Sequence, residues 1–338
     1  MYQGSARKVI VSGCFVLFTA TASGVHPLPG TVTTTNLITG VPQKSLVTSS
    51  FPVPGGQVVT STDSIAVPME LYAPELLVSR VPDATLSPST YLVADVAVEA
   101  DYAFYQKLGS DLNRAQQYVR TLLGAVSSIY QRDAHIVLNV SFIRISTSSS
   151  EYWTATDTNG ALDQVQAYWL SNESTRARAV VLFLSGKNLG GGVAYLPGIC
   201  SNNYGYAVVG NLSGNFTSQP SQSTWDLVST AHELGHTFGS QHSHCYTKAS
   251  GSWYDRCYSA ESGCYSGSAV PGKGTIMSYC HVTNPYMANI DPISFIDSSN
   301  DPVMANAIRS MATNRIASQP GGCLRTMLPK VYVPLADD

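Results

Sequence analysis

Charge is scarce in this chain. Asp, Glu, Lys and Arg make up 12% of its 338 residues, against about 25% in an average soluble protein. No Lys/Arg cluster forms and the formal net charge is −3, which argues against nucleic acid as a partner. Long apolar runs are missing too. The run from Val9 to Ala20 is broken by Ser12, Gly13 and Thr19, and falls short of the about 20 residues that a membrane span needs. Arg7 and Lys8 precede it and small residues (Ala20, Thr21, Ala22) follow. That order is expected of a secretory signal peptide over residues 1–24, rather than a buried strand or an anchor. Cysteine is absent between Cys14 and Cys200. The remaining six (Cys200, Cys245, Cys257, Cys264, Cys280, Cys323) show no C-x₂-C spacing, so three disulfides in an oxidising compartment fit better than a structural zinc site. Sequons begin at Asn139, Asn172, Asn211 and Asn215.

From His26 to Thr62 the chain is rich in Pro, Gly, Thr, Ser and Val, with Lys44 the sole charge. It has no helical period and reads as a prosegment or extension over residues 25–88. The pattern then tightens. Residues 91–101 alternate like a strand, and Tyr102 to Tyr130 has helical spacing. His135–Ser146 reads as a strand, a helix starts at Ala161, and a buried strand starts at Ala179. Strand and helix in alternation predict an α/β fold with a mixed, mostly parallel twisted sheet. Regular structure thins after His242 until Asp301-Pro302, which opens a last helix with Met304, Ile308 and Met311 on one face. The main folded domain is expected over 89–325, with a tail over 326–338.

The segment from His232 to His242 reads H-E-x-x-H-x-x-G-x-x-H. It is placed near the end of a helix that Ser223 could cap, with Asp226 at the capping-box position and Val228, Ala231, Leu234 and Phe238 turned inward. His232 and His236 are four residues apart, so both imidazoles leave one helix face and can share an ion. Gly239 allows the left-handed turn that lets His242 approach as third ligand. Three imidazoles leave a fourth tetrahedral position for water, the mark of a catalytic zinc site. Glu233 lies one residue beyond His232 and is the expected general base: it takes a proton from the attacking water and passes it to the leaving amine. A helix with satisfied histidines is the plain alternative, but five fixed positions in a metal's register are not what a core requires.

This motif resembles that of the metzincin clan, whose second hallmark is a methionine turn. Gly274-Thr-Ile-Met277-Ser-Tyr279 stands where that turn should be, and the resemblance gives Met277 the role of an apolar floor beneath the histidines. Within the clan the chain is most similar to reprolysin-like (adamalysin-type) metallopeptidases, through Leu184–Cys200 and the HTFGSQHSHC continuation, over roughly residues 91–323. The resemblance implies an α+β metzincin-like fold with an antiparallel edge strand at Gly190–Tyr195, an active-site helix and a disulfide-braced irregular C-terminal subdomain ending in a helix. It implies that extended substrates pair with that edge, the other reading being a flexible loop. It pairs Cys200 with Cys323 and has the other four cysteines brace the loops around the methionine turn. Sequence leaves their pairing open, with Cys245–Cys280 and Cys257–Cys264 favoured. Calcium is allowed by analogy, without nameable ligands. Two departures stand out. Ser243 follows the third histidine where reprolysins usually have Asp. Tyr279 is similar to the tyrosine of astacin- and serralysin-like chains, so it is carried as a transition-state hydrogen-bond donor, the alternative being a packed aromatic. His244 and His281 are expected near the cleft or on the surface, off the metal.

The leading reading is a secreted, monomeric zinc-dependent endopeptidase acting on proteins or peptides, with His232, His236 and His242 on zinc and Glu233 and Tyr279 catalytic. It implies no nucleic-acid partner and no stable membrane insertion after signal removal. The alternative is a non-catalytic zinc-holding binding or adhesion module, which would have no need of Glu233. No cysteine is available for a thiolate switch once the signal is gone.

Overall fold

The computed structural model describes strands 43–47 and 57–59, residues 90–318 and residues 323–327. The expected signal peptide and most of the expected tail lie outside the described residues. No helix among them is long and apolar enough to cross a membrane.

One sheet organises the chain. Strands β3 (Tyr91–Ala100), β4 (Ile136–Ser148), β5 (Val180–Leu184) and β7 (Tyr206–Val209) run parallel in the order β7-β5-β3-β4. Strand β6 (Gly192–Leu196) joins β7 antiparallel. Outside β6 lies β1 (Gln43–Val47), also antiparallel, and outside β4 lies β2 (Gln57–Val59). The expected antiparallel strand is thus present, and the chain's own β1 covers its outer side. Strand β8 (Leu324–Met327) pairs antiparallel with the first residues of β3, on the side that β5 takes further along.

Both faces of the sheet are covered, which is why β5 and β7 are buried throughout and read as unbroken apolar runs. On one face Leu92, Ala94, Val96 and Val98 of β3 pack with Val119, Leu122, Leu123 and Val126 of α2 (Leu112–Ala134) and with Leu227, Ala231 and Leu234 of α4 (Trp225–Thr237). On the other, Ala97, Val181 and Phe183 meet Leu162, Val165 and Trp169 of α3 (Thr158–Asn172). Each fully buried aliphatic side chain contributes about 1.5–3 kcal/mol.

The helical spacing over 102–130 resolves into two helices, α1 (Tyr102–Lys107) and α2. Gly109 and Ser110 take positive φ between them (79° and 55°), and Asp111 restarts the helix by accepting from Arg114 N at 3.1 Å. Asp157 caps α3 the same way, on Gly160 N at 2.8 Å. The last helix, α5 (Val303–Ser318), follows Asp301, whose carboxylate accepts from Val303 N.

Between α4 and α5 the chain has only short 3₁₀ turns, and disulfides hold it. Cys200 joins Cys323 as the family resemblance implied. The other pairs are Cys245–Cys264 and Cys257–Cys280, not the favoured Cys245–Cys280 and Cys257–Cys264. The reason is that segment 257–265 folds back on the chain after His242: Tyr265 N donates to His244 O at 2.9 Å. That brings Cys264 beside Cys245, with Cα atoms 4.1 Å apart.

A buried polar network ties α3 to the sheet. Glu99 on β3 accepts from Arg144 of β4 and from Trp169 Nε1 (2.8 Å), while Arg144 also reaches Glu173 at 2.7 Å. Removing one partner of such a group strands the other in low dielectric. Glu99→Ala is therefore expected to cost about 3–5 kcal/mol in urea unfolding at fixed zinc concentration.

Candidate metal centre

Helix α4 is buried on every side from Asp226 to Thr237. The inward positions Val228, Ala231, Leu234 and Phe238 are all in the core. Its start differs from the capping expected at Ser223. A 3₁₀ turn (Gln222–Thr224), capped by Ser221, leads in, and Thr224 makes no side-chain cap. Asp226 instead accepts from Ser213 N (2.9 Å), Gly214 N (3.0 Å) and Tyr118 Oη (2.6 Å), fastening the helix entry to the loop after β7.

His232 and His236 leave the helix four residues apart, with ring centroids 4.6 Å apart. Gly239 turns the chain with φ +88°, and Met311 of α5 packs where its side chain would be. His242 then comes back onto the pair. The Nε2 atoms of His236 and His232 lie 3.0 Å apart, and those of His236 and His242 3.1 Å apart. Each Nδ1 faces an acceptor: Ile276 O for His232, Ser240 O for His236 and a Glu261 carboxylate oxygen for His242, all at 2.7 Å. Those acceptors hold the ring protons on Nδ1, so the Nε2 atoms carry lone pairs. Burial holds the pKa values of His232 and His236 well below the ordinary range, so these rings are neutral. Three lone pairs pointed at one another repel unless a cation lies between them. Their separation is close to the ~3.3 Å that two nitrogens take across a tetrahedral zinc.

Glu233 is fully buried, and neither carboxylate oxygen has a hydrogen-bond partner. Burial pushes its pKa well above the usual carboxylate range. A buried acid with no partner is costly in a finished site and marks the place of a missing group. The carboxylate faces Gly192 of β6, where a Cβ would come within 2.5 Å of Oε1. The histidine set and this orphaned acid fit a catalytic metal.

The methionine turn works chiefly through its backbone. Ile276 O holds His232, and Met277 O accepts from Ser243 N at 2.9 Å. Met277 itself is buried under α4, its sulfur 2.6 Å from where a Cβ on Gly235 would lie. Tyr279 is buried with its ring 4.3 Å from that of His242 and stacked at 6.1 Å on His232. Burial raises its pKa well above the normal phenol value, so it keeps its proton. His244 and His281 are off the triad but neither is on the surface. His244 stacks parallel to His242 at 5.3 Å, and His281 packs 5.6 Å from Tyr279. In place of the acid usual after the third histidine, Ser243 donates its hydroxyl to Asp255.

Sequence reasoning missed Glu261 and Gly235, and it read Gly192 as room for a substrate backbone, whereas the group that Gly192 makes room for is Glu233. Glu261 has no motif spacing; only its place between Cys257 and Cys264 hinted that a disulfide loop would carry it inward. Burial alone would raise its pKa, but His242 and His244 pull it well below the carboxylate range. The three candidate metal clusters among the described residues each include a histidine or cysteine, so none is the carboxylate cage that calcium would favour.

A mostly parallel sheet thus carries a helix with two of the three histidines, and the turn after that helix brings in the third. The sequence profile of metallo-peptidase family M12, reprolysin type, matches residues 91–290, and the chain belongs to that family, whose members are zinc-dependent peptidases. No curated protein matches the chain. A solved chain described as "Structure of a chaperone-substrate complex" is similar at 14% identity and TM-score 0.40, over 66% of this chain and 35% of that one. This chain thus spans about a third of that structure's length, and so slight a likeness carries no argument.

His281 supplies a pH-dependent contribution. Burial drives its pKa from 6.5 to about 4. The unfolded chain then accepts a proton that the folded chain resists, so this contribution is present above pH 6.5 and lost as pH falls toward 4. In metal-stripped protein, urea titrations should show the wild type losing about 3 kcal/mol more than His281→Phe between pH 7.5 and 4.

Proposed function

We propose that the protein is a secreted zinc-dependent endopeptidase in which His232, His236 and His242 hold the metal and Glu233 is the general base. The observation that carries this reading is the convergence of three Nε2 atoms beside a buried carboxylate with no partner. Zinc bound there supplies a Lewis acid that acidifies water and polarises the scissile carbonyl. Glu233 receives the proton of the attacking water and returns it to the leaving amine. Tyr279, protonated and against two of the histidines, is assigned as hydrogen-bond donor to the developing oxyanion.

Strand β6 runs past this carboxylate, and substrate is proposed to add to its outer edge. The chain itself supplies the precedent: β1 pairs there antiparallel, from Val47 opposite Gly192 to Gln43 opposite Leu196. Backbone pairing of that kind tolerates many sequences. Residues 25–88 are then a prosegment whose β1 holds the substrate's place, and residues 89–325 are the catalytic domain, a monomer. Three disulfides support an oxidising, extracellular setting.

Metal analysis and peptide hydrolysis of the wild type and Glu233→Gln test the mechanism. About one zinc per chain is expected in both, with activity at least ~100-fold lower in the variant. A wild type freed of its prosegment that binds zinc yet cleaves nothing across a broad peptide library is instead a binding module. A second measurement tests latency. Neighbouring N–H groups alternate sides along a strand, so the double substitution Ser45→Pro and Leu46→Pro removes whichever of the two donates to β6. It should raise the full chain's peptide hydrolysis without changing its zinc content. Unchanged hydrolysis would dismiss β1 as the blocking strand.

A further inference from the structure

The three histidines are not held alike. His232 and His236 donate Nδ1–H hydrogen bonds to backbone carbonyls, whereas His242 donates its own to a side-chain carboxylate. His242 is also the ligand outside α4, on irregular chain after the Gly239 turn. Nothing in a helix fixes its ring. The same oxygen, Glu261 Oε2, accepts from His242 Nδ1 at 2.7 Å and from His244 Nε2 at 2.8 Å. The two imidazoles stack nearly parallel, with a 7° interplanar angle. Glu261 belongs to the segment that the Cys245–Cys264 disulfide closes onto this chain, and Cys264 N donates to Glu261 O.

We propose that Glu261 is a positioning residue for the metal: it fixes the tautomer and rotation of His242, with His244 holding the carboxylate in register. A carboxylate behind an imidazole makes the ring a better donor and a more rigid one. Loss of such a partner commonly weakens metal binding by about 10–100-fold. This arrangement supplies, from a distant loop, an acid close to the third histidine in a chain where Ser243 follows it. The inference rests on the three histidines holding zinc.

The test measures zinc affinity of the full-length chain by competition with a chromogenic chelator, for wild type, Glu261→Ala, Glu261→Gln and Asp297→Asn. Asp297 accepts from Lys248 elsewhere in the irregular subdomain, so its variant reports general loosening. Urea unfolding of the metal-free chains records structural damage separately. Glu261→Ala should bind zinc about 10–100-fold more weakly. Glu261→Gln, which keeps an acceptor but not the charge, should fall between it and the wild type, at least threefold weaker. Asp297→Asn should match the wild type in affinity whatever its stability. Both Glu261 variants binding zinc within twofold of the wild type would overturn the proposal. If Glu261→Ala fails to fold, Glu261→Gln decides by the same criterion. A wild type that binds no zinc overturns the reading of the histidine site itself, an outcome distinct from equal affinities.

Discussion

The whole centre depends on where three protons are kept. Each imidazole has its Nδ1 hydrogen committed outward, to Ile276 O, Ser240 O or Glu261, so three lone pairs are forced inward. Such an arrangement is electrostatically unfavourable without a cation and favourable with one. The acceptors come from three separate places: the methionine turn, the bend at Gly239 and a disulfide-bound loop. The fold's task after α4 is to bring those three acceptors around one helix.

The sheet and helix meet more closely than side chains would allow. Gly192 lets β6 pass against Glu233, and Gly235 lets α4 settle on Met277. These are not turn glycines; neither has the positive φ found at Gly239. They are needed for proximity, one between strand and acid, the other between helix and floor. Asp226 completes the arrangement by tying the start of α4 to the loop that follows β7.

Much of this was legible in the sequence because it is local. The histidine register, the Gly239 turn and the methionine turn lie within fixed spacings that a metal and a helix impose. Strands β3 and β4 announced themselves by alternation or by unbroken apolar residues, as did β5. Long-range relations were not legible. Strand β7, with four residues, is too short to show a period, and β8 is defined only by its pairing with β3. The break between α1 and α2 was hidden because apolar spacing continues across Leu108 and Leu112 while Gly109 and Ser110 reverse the backbone. The exchange of disulfide partners has the same origin: a four-cysteine set permits three pairings, and only the return of segment 257–265 selects one. Glu261 was invisible for that reason too, since it stands nineteen residues from the histidine it holds.

Gly192 has a consequence for how far the chain can vary. Where β6 passes the Glu233 carboxylate, the strand has no side chain and no room for one. Any added carbon would have to displace a fully buried acid. Strand and helix therefore constrain one another through a single missing atom, and neither residue can change alone.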